Sequence, residues 1–335
     1  MTRILRWLVL AALTLVSAVA FGVLALKLAT PGPPDPPKTT GHLESAETQW
    51  KGRTRRWLTY RPVRLQNPAP TVVALPGSGQ SAQQLRIATN FGFEAVADRN
   101  GFLLVYAEAW RDGSWLGPEW NDCRRNTRQA AHLENVDDVG FVLQVLDATS
   151  REAPSDRARV YAVGLSDGGQ MAYRLATEYP DRFAAIAAVV AQQPAPENDG
   201  CIEPRGAISV LVMNGTDDPI IPYGGGEASF HGWFSAGEVE STDGTISFWK
   251  RVNSIDRPSI RDELPDRDSA DGSTVVRERW NATSGHEVVL YSIIGGGHSF
   301  PGGYRGAPDS LLGMTNRDID AAAEIWTFFE RHRLH

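Results

Sequence analysis

The stretch from residue 159 to residue 179 constrains the fold more than any other part of this 335-residue chain. Residues 159–163 (RVYAV) form a short apolar run typical of a strand, and residues 170–179 have the pattern of a helix. The turn between them is GLSDGG, residues 164–169. G-x-S-x-G in a strand–turn–helix setting lifts a serine, here Ser166, out of a sheet, and glycines are needed because the turn is strained and tightly packed. The stretch therefore predicts a strand that leads directly into a helix.

Other apolar runs alternate with helical patterns along the rest of the chain. The predicted strands, besides 159–163, are residues 71–75, 102–106, 184–190, 208–213 and 288–294. Two helices are indicated by apolar residues at helical spacing, one over residues 136–146 and one over residues 319–329. Strands that alternate with helices predict an α/β fold, with a mostly parallel central sheet and helices on both faces. Such folds place their chemistry in loops at the carboxyl ends of the strands.

The N-terminus has the pattern of an export signal and is set aside before the fold is considered. Arg3 and Arg6 precede an uncharged run, residues 7–26, which is long enough to span a bilayer as a helix. Residues 18–20 (AVA) are a site that signal peptidase could cleave. Residues 1–30 are therefore predicted to be either a signal peptide or a membrane anchor. Both alternatives place the body outside the cytoplasm, secreted or attached to a membrane through residues 7–26 alone.

The remaining sequence divides into a linker and one domain. Residues 31–40 (PGPPDPPKTT) are a proline-rich, semi-rigid spacer, and residues 41–335 are predicted to form one domain. With 33 basic and 40 acidic residues, the chain has a net charge of −7, which argues against a nucleic-acid-binding surface. Two cysteines, Cys123 and Cys201, are too few for a four-cysteine zinc site. In an oxidising compartment they are expected to form a disulfide, the alternative being two buried thiols.

A serine hydroxyl is a poor nucleophile at neutral pH and needs a base, which in turn needs an orienting acid. In this fold class the three follow along the chain in the order serine, acid, histidine. The turn after the strand at 208–213 carries two carboxylates, Asp217 and Asp218, and a glycine-rich loop after the strand at 288–294 carries His298. One of these aspartates and His298 are therefore predicted to converge on Ser166. Of the other histidines, His231 is the best substitute for His298.

Acyl transfer also needs N–H groups that hold the oxyanion. The backbone amide of Asp167 is one predicted donor, and the amide of Ser78, in the loop after the first predicted strand, is the other. The same loop (GSGQSA, residues 77–82) also fits the dinucleotide-binding pattern G-x-G-x-x-A, which would suit an NAD-dependent oxidoreductase. That pattern requires an acid at the end of a second strand about 20 residues later. Here Glu94 and Asp98 fall in a predicted helix, which argues against it.

Several separated segments resemble the secreted esterase family that includes polyhydroxybutyrate depolymerases and feruloyl esterases. The similarity covers roughly residues 49–332 and rests on residues 75–81, 135–141 (NVDDVGF), 160–183, 214–226 (NGTDDPIIPYGGG) and 295–302 (GGGHSFPG). It implies an α/β-hydrolase catalytic domain over residues 41–335, with Ser166 as nucleophile and His298 as base. It implies Asp218 as the acid, because the family motif places the catalytic carboxylate directly before the proline. Such an enzyme needs no metal ion or organic cofactor.

Four positions depart from the family pattern. Pro76 stands where a histidine is usual, Asp167 replaces an asparagine, Asn214 a histidine and Phe300 a tryptophan. None of them is a member of the predicted triad. Pro76 is expected to alter how the oxyanion loop is braced, and Asp167 is expected to place a carboxylate beside the site.

Substrate contacts are predicted among aromatic residues in loops near the site. They are Trp115 and Trp120 after the second predicted strand, Tyr223 near the acid, and Phe300 near the base. Exposed rings could stack on a ferulate ring, a sugar or an aliphatic polyester, the alternative being that they belong to the core. The predicted function is an exported serine carboxylic-ester hydrolase acting on small or oligomeric esters, either hydroxyalkanoate or feruloyl and acetyl esters. An acyltransferase with the same triad, a non-catalytic binding module and a dinucleotide oxidoreductase are the alternatives.

Overall fold

The structure of the chain, a computed structural model, describes residues 32–113, 117–232, 235–304 and 306–334. The predicted leader, residues 1–30, lies outside these residues, and so does Trp115. Within the described part of the chain, no helix is both long and apolar enough to cross a membrane. Residues 32–40 contain no helix or strand, and the amide of Thr40 donates a hydrogen bond to Asp98 Oδ2 at 2.6 Å.

Strands and helices alternate through most of the chain. In order they are β1 (His42–Trp50), β2 (Arg53–Arg61), β3 (Ala69–Leu75), α1 (Ala82–Ala88), α2 (Gly92–Asn100), β4 (Leu103–Ala107), α3 (Ala130–Leu133), α4 (Asp138–Glu152), β5 (Ser155–Leu165), α5 (Asp167–Glu178), β6 (Ala185–Val189), β7 (Ser209–Gly215), β8 (Gly226–Glu227), β9 (Glu238–Val239), α6 (Thr242–Val252), β10 (Ile260–Glu263), β11 (Thr274–Asn281), β12 (Glu287–Ile294), α7 (Asp309–Leu312) and α8 (Ala321–Phe329). Side-chain caps begin several helices: Ser81 caps α1, Asp137 caps α4 and Ser241 caps α6.

Ten strands of the described residues form one sheet, in the order β1-β2-β4-β3-β5-β6-β7-β12-β11-β10. The central strands from β4 to β12 run parallel, which confirms the predicted mostly parallel sheet. An antiparallel pair extends the sheet at each edge, β1 with β2 and β10 with β11. The sequence did not predict these edge strands.

Helices cover both faces of the sheet, as predicted for an α/β-hydrolase fold. Along β3, Val72 and Ala74 belong to the core on one face, where α1, α2 and α8 pack. Val73 and Leu75 belong to the core on the other face, where α4, α5 and α6 pack. Both faces of the central strands are therefore buried, which explains why these strands are continuously apolar in sequence.

The strand register brings the loops with predicted chemistry to one edge of the sheet. Four strand ends lie at the same level, as shown by the pairs Leu75 with Gly164, Leu165 with Val189, Val189 with Met213, and Gly215 with Ile293. The loops after β3, β5, β7 and β12 therefore start side by side at the carboxyl edge.

Candidate active site

Ser166 occupies the turn between β5 and α5 in a backbone conformation that residues other than glycine rarely adopt. Its φ is 55° and its ψ is −118°. A Cβ on Gly164 would lie 1.9 Å from the carbonyl oxygen of Gly168, and a Cβ on Gly168 would lie 2.0 Å from the carbonyl oxygen of Leu75. The amide of Ser166 donates to the carbonyl of Val189 at 2.8 Å. The tight turn thus requires its glycines, and β6 fixes the serine at the sheet edge.

The imidazole of His298 links the serine to a carboxylate. Its Nε2 lies 2.9 Å from Ser166 Oγ, and its Nδ1 lies 2.8 Å from Asp218 Oδ2. The side chain of His298 is 11% exposed and that of Asp218 is 2% exposed, so the arrangement is largely shielded from water. The structure therefore brings together Ser166, His298 and Asp218, although 132 residues separate the serine from the histidine.

The two neighbouring aspartates differ in what they contact. Asp218 is buried, and its Oδ1 accepts hydrogen bonds from the amides of Ile220 at 2.8 Å and Ile221 at 2.9 Å. Asp217 is exposed, and its Oδ1 accepts one from Thr216 Oγ1 at 3.0 Å. Asp218 is therefore the carboxylate that the backbone orients towards the imidazole.

Backbone contacts fix the acid turn against the histidine loop. A Cβ on Gly215 would lie 2.2 Å from the carbonyl oxygen of Gly296, so these two segments approach each other where only glycine fits. The amide of Asp217 donates to that same carbonyl at 2.9 Å, and the amide of Gly295 donates to Thr216 Oγ1 at 2.8 Å. These contacts set the separation between the carboxylate and the imidazole.

The loop after β3 passes beside the serine. The position of a Cβ on Gly77 lies 3.4 Å from Ser166 Cβ. The amide of Gly77 donates to Gln80 Oε1 at 3.1 Å, and that of Gly79 donates to a carbonyl of the next loop at 2.8 Å. The amide of Ser78, between them, has no hydrogen-bond acceptor among the described residues. Within the described part of the chain, no other group competes with a ligand for this N–H.

The Asp167 side chain is buried and ion-paired. Its Oδ1 accepts hydrogen bonds from Arg124 Nη2 and, at 3.0 Å, from Gln129 Nε2, while its Oδ2 accepts one from the amide of Trp120 at 3.1 Å. Burial raises the pKa of Asp167 to about 7, although the positive charge of Arg124 opposes that rise. Asp122, which also pairs with Arg124, raises it further. The carboxylate beside the site is therefore compensated by Arg124, which the sequence analysis missed. The departure of Asp167 from the family pattern was a sequence signal of unusual electrostatics here, but it did not identify Arg124.

Trp120 does not fit its predicted role in substrate binding. The residue is 0% exposed, so a substrate cannot reach its ring. Its indole Nε1 donates to the carbonyl oxygen of Pro76 at 2.8 Å, and its amide donates to Asp167. The prediction was wrong because this part of the loop after β4 folds under the site rather than over it.

The other predicted aromatic contacts divide into three cases. Phe300 is 5% exposed and packs edge-on against Phe93, with ring centroids 5.6 Å apart, so it is a core residue and the prediction for it was wrong. Tyr223 is half-buried near the acid turn, and its hydroxyl lies 2.7 Å from Ser292 Oγ. Burial raises the pKa of Tyr223. Trp115 lies outside the described residues.

The structure contains the predicted disulfide between Cys123 and Cys201. It joins the loop after β4 to the segment after β6, one residue away from Arg124. Arg124 Nε bonds both oxygens of Asp122, at 3.1 Å and 2.9 Å. The disulfide therefore anchors the part of the chain that carries the buried ion pairs below the serine.

Comparison with known proteins identifies esterases that are similar to this chain. The NocK protein of Nocardia uniformis subsp. tsuyamanensis, which is named as an esterase, is 33% identical over 259 residues, covering 76% of this chain and 72% of NocK. Feruloyl esterase B of Thermothelomyces thermophilus is 36% identical over 128 residues, covering 38% of this chain and 40% of that enzyme. The solved acetyl xylan esterase from Aspergillus awamori has a TM-score of 0.56 at 13% identity, covering 87% of this chain and all of that one. This last likeness concerns the fold alone.

The sheet order and strand register are those of an α/β-hydrolase fold. The similarity to NocK and to feruloyl esterase B places the chain among the carboxylic-ester hydrolases. The sequence profile described as Esterase PHB depolymerase matches residues 58–197. The chain belongs to this esterase family, together with NocK and the feruloyl esterases.

Proposed function

We propose that the protein is an exported serine ester hydrolase that acts through Ser166, His298 and Asp218. The observation that carries the proposal is the unbroken path from hydroxyl to imidazole to carboxylate, with separations of 2.9 Å and 2.8 Å. Its three residues lie in the loops after β5, β7 and β12 of a fold that esterases share. A non-catalytic binding module would have no use for this arrangement.

The geometry supports a two-step mechanism through an acyl-enzyme. Ser166 Oγ attacks the ester carbonyl carbon while His298 Nε2 takes the hydroxyl proton. Asp218 accepts the Nδ1–H bond and stabilises the imidazolium, and two backbone amides keep that carboxylate aimed at the ring. The tetrahedral intermediate collapses, the proton passes from Nε2 to the leaving alcohol, and the acyl group stays on Ser166. A water molecule then attacks the acyl-enzyme by the same proton relay and releases the acid.

The proposed oxyanion hole consists of the amides of Ser78 and Asp167. Asp167 opens α5, so its amide points out of the helix N-terminus, where the helix dipole adds positive potential. The amide of Ser78, which has no acceptor among the residues that the structure describes, lies in the loop that passes beside Ser166. Removing one such donor costs about 10²- to 10³-fold in kcat in comparable sites.

The proposed substrates are small or oligomeric carboxylic esters, either hydroxyalkanoate or feruloyl and acetyl esters. The family description and the feruloyl esterase relative support this class. Tyr223 and Trp115 remain the proposed aromatic contacts. Export is supported by the N-terminal pattern of residues 1–30 and by the disulfide, a bond typical of oxidising compartments. A dinucleotide site gains no support, because Glu94 and Asp98 both lie in α2.

The test compares two matched pairs of variants on a short p-nitrophenyl ester. We expect Ser166→Ala to lower kcat by several orders of magnitude and Ser284→Ala, in the distant turn between β11 and β12, to leave it unchanged. Asp218→Asn should lower kcat about 10⁴-fold, whereas Asp217→Asn should change it less than about twofold because that side chain is exposed. Comparable activity of Ser166→Ala and the wild type would contradict the proposal.

A further inference from the structure

Trp120 has two N–H groups, and each reaches a different loop of the site. The indole Nε1–H donates to the carbonyl oxygen of Pro76 at 2.8 Å, in the loop that carries Ser78. The backbone N–H donates to Oδ2 of Asp167 at 3.1 Å, beside the serine. One residue thus bridges the two segments that carry the proposed oxyanion amides.

The bridge is rigid because Trp120 is completely buried and its neighbours are anchored. The carbonyl of Pro118 accepts a hydrogen bond from the amide of Gly79 at 2.8 Å, which joins the same two loops a second time. The amide of Asn121 donates to Asp138 Oδ2 at 2.7 Å, and Asp138 is itself ion-paired with Arg55 inside the protein. The segment that carries Trp120 is therefore fixed to the oxyanion loop on one side and to α4 on the other.

The Asp167 end of the bridge is fixed as well. Arg124 and Gln129 hold Oδ1 of Asp167 while Trp120 holds Oδ2, so both carboxylate oxygens have donors. The side chain of Asp167 grows from the same residue as its backbone amide. Constraining that carboxylate therefore constrains the first peptide of α5, which carries the N–H.

We propose that Trp120 is a positioning residue of the oxyanion hole, which sets the separation between the Ser78 and Asp167 amides. The inference rests on the proposed function and assigns Trp120 a role different from substrate contact. Donors must lie within about 2.7–3.1 Å of the oxyanion, so a small shift of either loop weakens both bonds. These bonds strengthen when charge develops in the transition state. Loss of the bridge should therefore lower kcat and leave KM nearly unchanged.

The experiment compares Trp120→Phe with Trp249→Phe. Trp249 is also 0% exposed, stacks on Tyr173, and has an indole Nε1 without a hydrogen-bond partner among the described residues. The control therefore loses the same ring volume from the core but no hydrogen bond. We expect Trp120→Phe to lower kcat about 10- to 100-fold with KM within about twofold. Trp249→Phe should keep kcat within about twofold, even where its Tm falls.

Two further measurements separate positioning from general damage. A fluorophosphonate titration counts the reactive serines, and kcat is expressed per labelled site. A trifluoromethyl ketone, which forms a tetrahedral oxyanion adduct on the serine, should bind Trp120→Phe more weakly by the same factor as the fall in kcat/KM. The product acid, which has no such adduct, should bind equally well. If Trp120→Phe folds poorly, replacement of Trp120 by 3-benzothienylalanine keeps the ring shape, removes only the N–H and should show the same pattern.

The outcomes distinguish this inference from the proposed function. If Ser166→Ala stays active, the serine mechanism fails and the inference fails with it. If Ser166→Ala is inactive while Trp120→Phe keeps kcat, or loses no more than Trp249→Phe, only the inference is overturned. A rise in KM at constant kcat would also overturn it, because it would return Trp120 to a role in substrate binding.

Discussion

Asp167 is a residue at which the site gains a carboxylate that the family pattern lacks. This carboxylate stands directly after the proposed nucleophile, Ser166, where the family pattern has an asparagine, and it is buried. The protein compensates with Arg124, which is shared with a second buried carboxylate, Asp122. Two negative groups thus depend on one cation, and burial leaves the pKa of Asp167 raised to about 7.

This shift predicts how stability depends on pH. The ordinary pKa of an aspartate is about 4, so between pH 4 and pH 7 the folded state holds a proton at Asp167 that the unfolded state has released. The stability that this bound proton gives to the folded state is present at low pH and is lost as pH rises through about 7. Asp167→Asn removes it, so the Tm of the variant relative to wild type should rise from pH 5 to pH 8. Thermal unfolding at both pH values measures the difference, with exposed Asp217→Asn as the control. An unchanged difference would show that Asp167 stays ionised throughout.

Residue types in motifs were predictable from sequence, whereas burial was not. Ser166, His298 and one of Asp217 and Asp218 could be expected to meet, because all follow strand ends in a fixed order. The family resemblance implied that the aspartate is Asp218, which is the one the structure places beside His298. Trp120 and Phe300 could not be recognised as buried residues, because an aromatic residue in a loop has the same sequence pattern whether it is exposed or buried. Arg124 was missed because Asp167 lies 43 residues further along the chain, so only tertiary contact reveals that pairing.

Within the described structure of the site, the turn from β5 to α5 is the most tightly packed turn. Its helix starts directly after Ser166, and β3 runs so close that no side chain fits at Gly168. The contact is with backbone, which cannot rotate away as a side chain can. The close packing of α5 against β3 therefore requires a glycine at residue 168.

Gly168→Ala should destabilise the protein strongly. The new Cβ would lie 2.0 Å from the carbonyl oxygen of Leu75, so β3 or α5 must move. We expect a loss of about 3 kcal/mol in the free energy of unfolding, together with loss of activity. Gly206→Ala is the matched control, since its Cβ would meet only the side chain of Pro180, with Cγ at 3.3 Å and Cβ at 3.8 Å. Urea unfolding of the two variants gives the comparison, and equal midpoints would show that the turn tolerates a side chain.

The elements themselves were predictable in proportion to their burial. The central strands β3, β4, β6 and β7 are buried along their whole length and appear in sequence as continuous apolar runs. The edge strand β1 is mostly exposed and carries mostly polar residues, so no apolar pattern marked it. The antiparallel additions depend on pairing with a neighbouring strand, which local sequence does not encode.

The parallel sheet brings residues from distant parts of the chain together at its carboxyl edge. Part of the loop after β4 is buried beneath the site, and this loop carries no member of the proposed triad. The disulfide fastens this loop to the segment after β6, across 78 residues of sequence. The same loop holds Arg124 and Trp120, so the cross-link stabilises both the fold and the support of the serine.

Removing the disulfide should therefore affect stability and catalysis together. A variant carrying both Cys123→Ser and Cys201→Ser opens a loop of 78 residues, and we expect the free energy of unfolding to fall by about 2–5 kcal/mol. Below its lowered Tm the variant should also lose kcat, because Arg124 adjoins Cys123 and holds Asp167 in place. Urea unfolding and p-nitrophenyl ester kinetics measure the two effects, and wild type treated with reductant should reproduce both. A fall in stability with unchanged kcat would mean that the hydrogen bonds of Asn121 and Trp120 hold the loop without the cross-link.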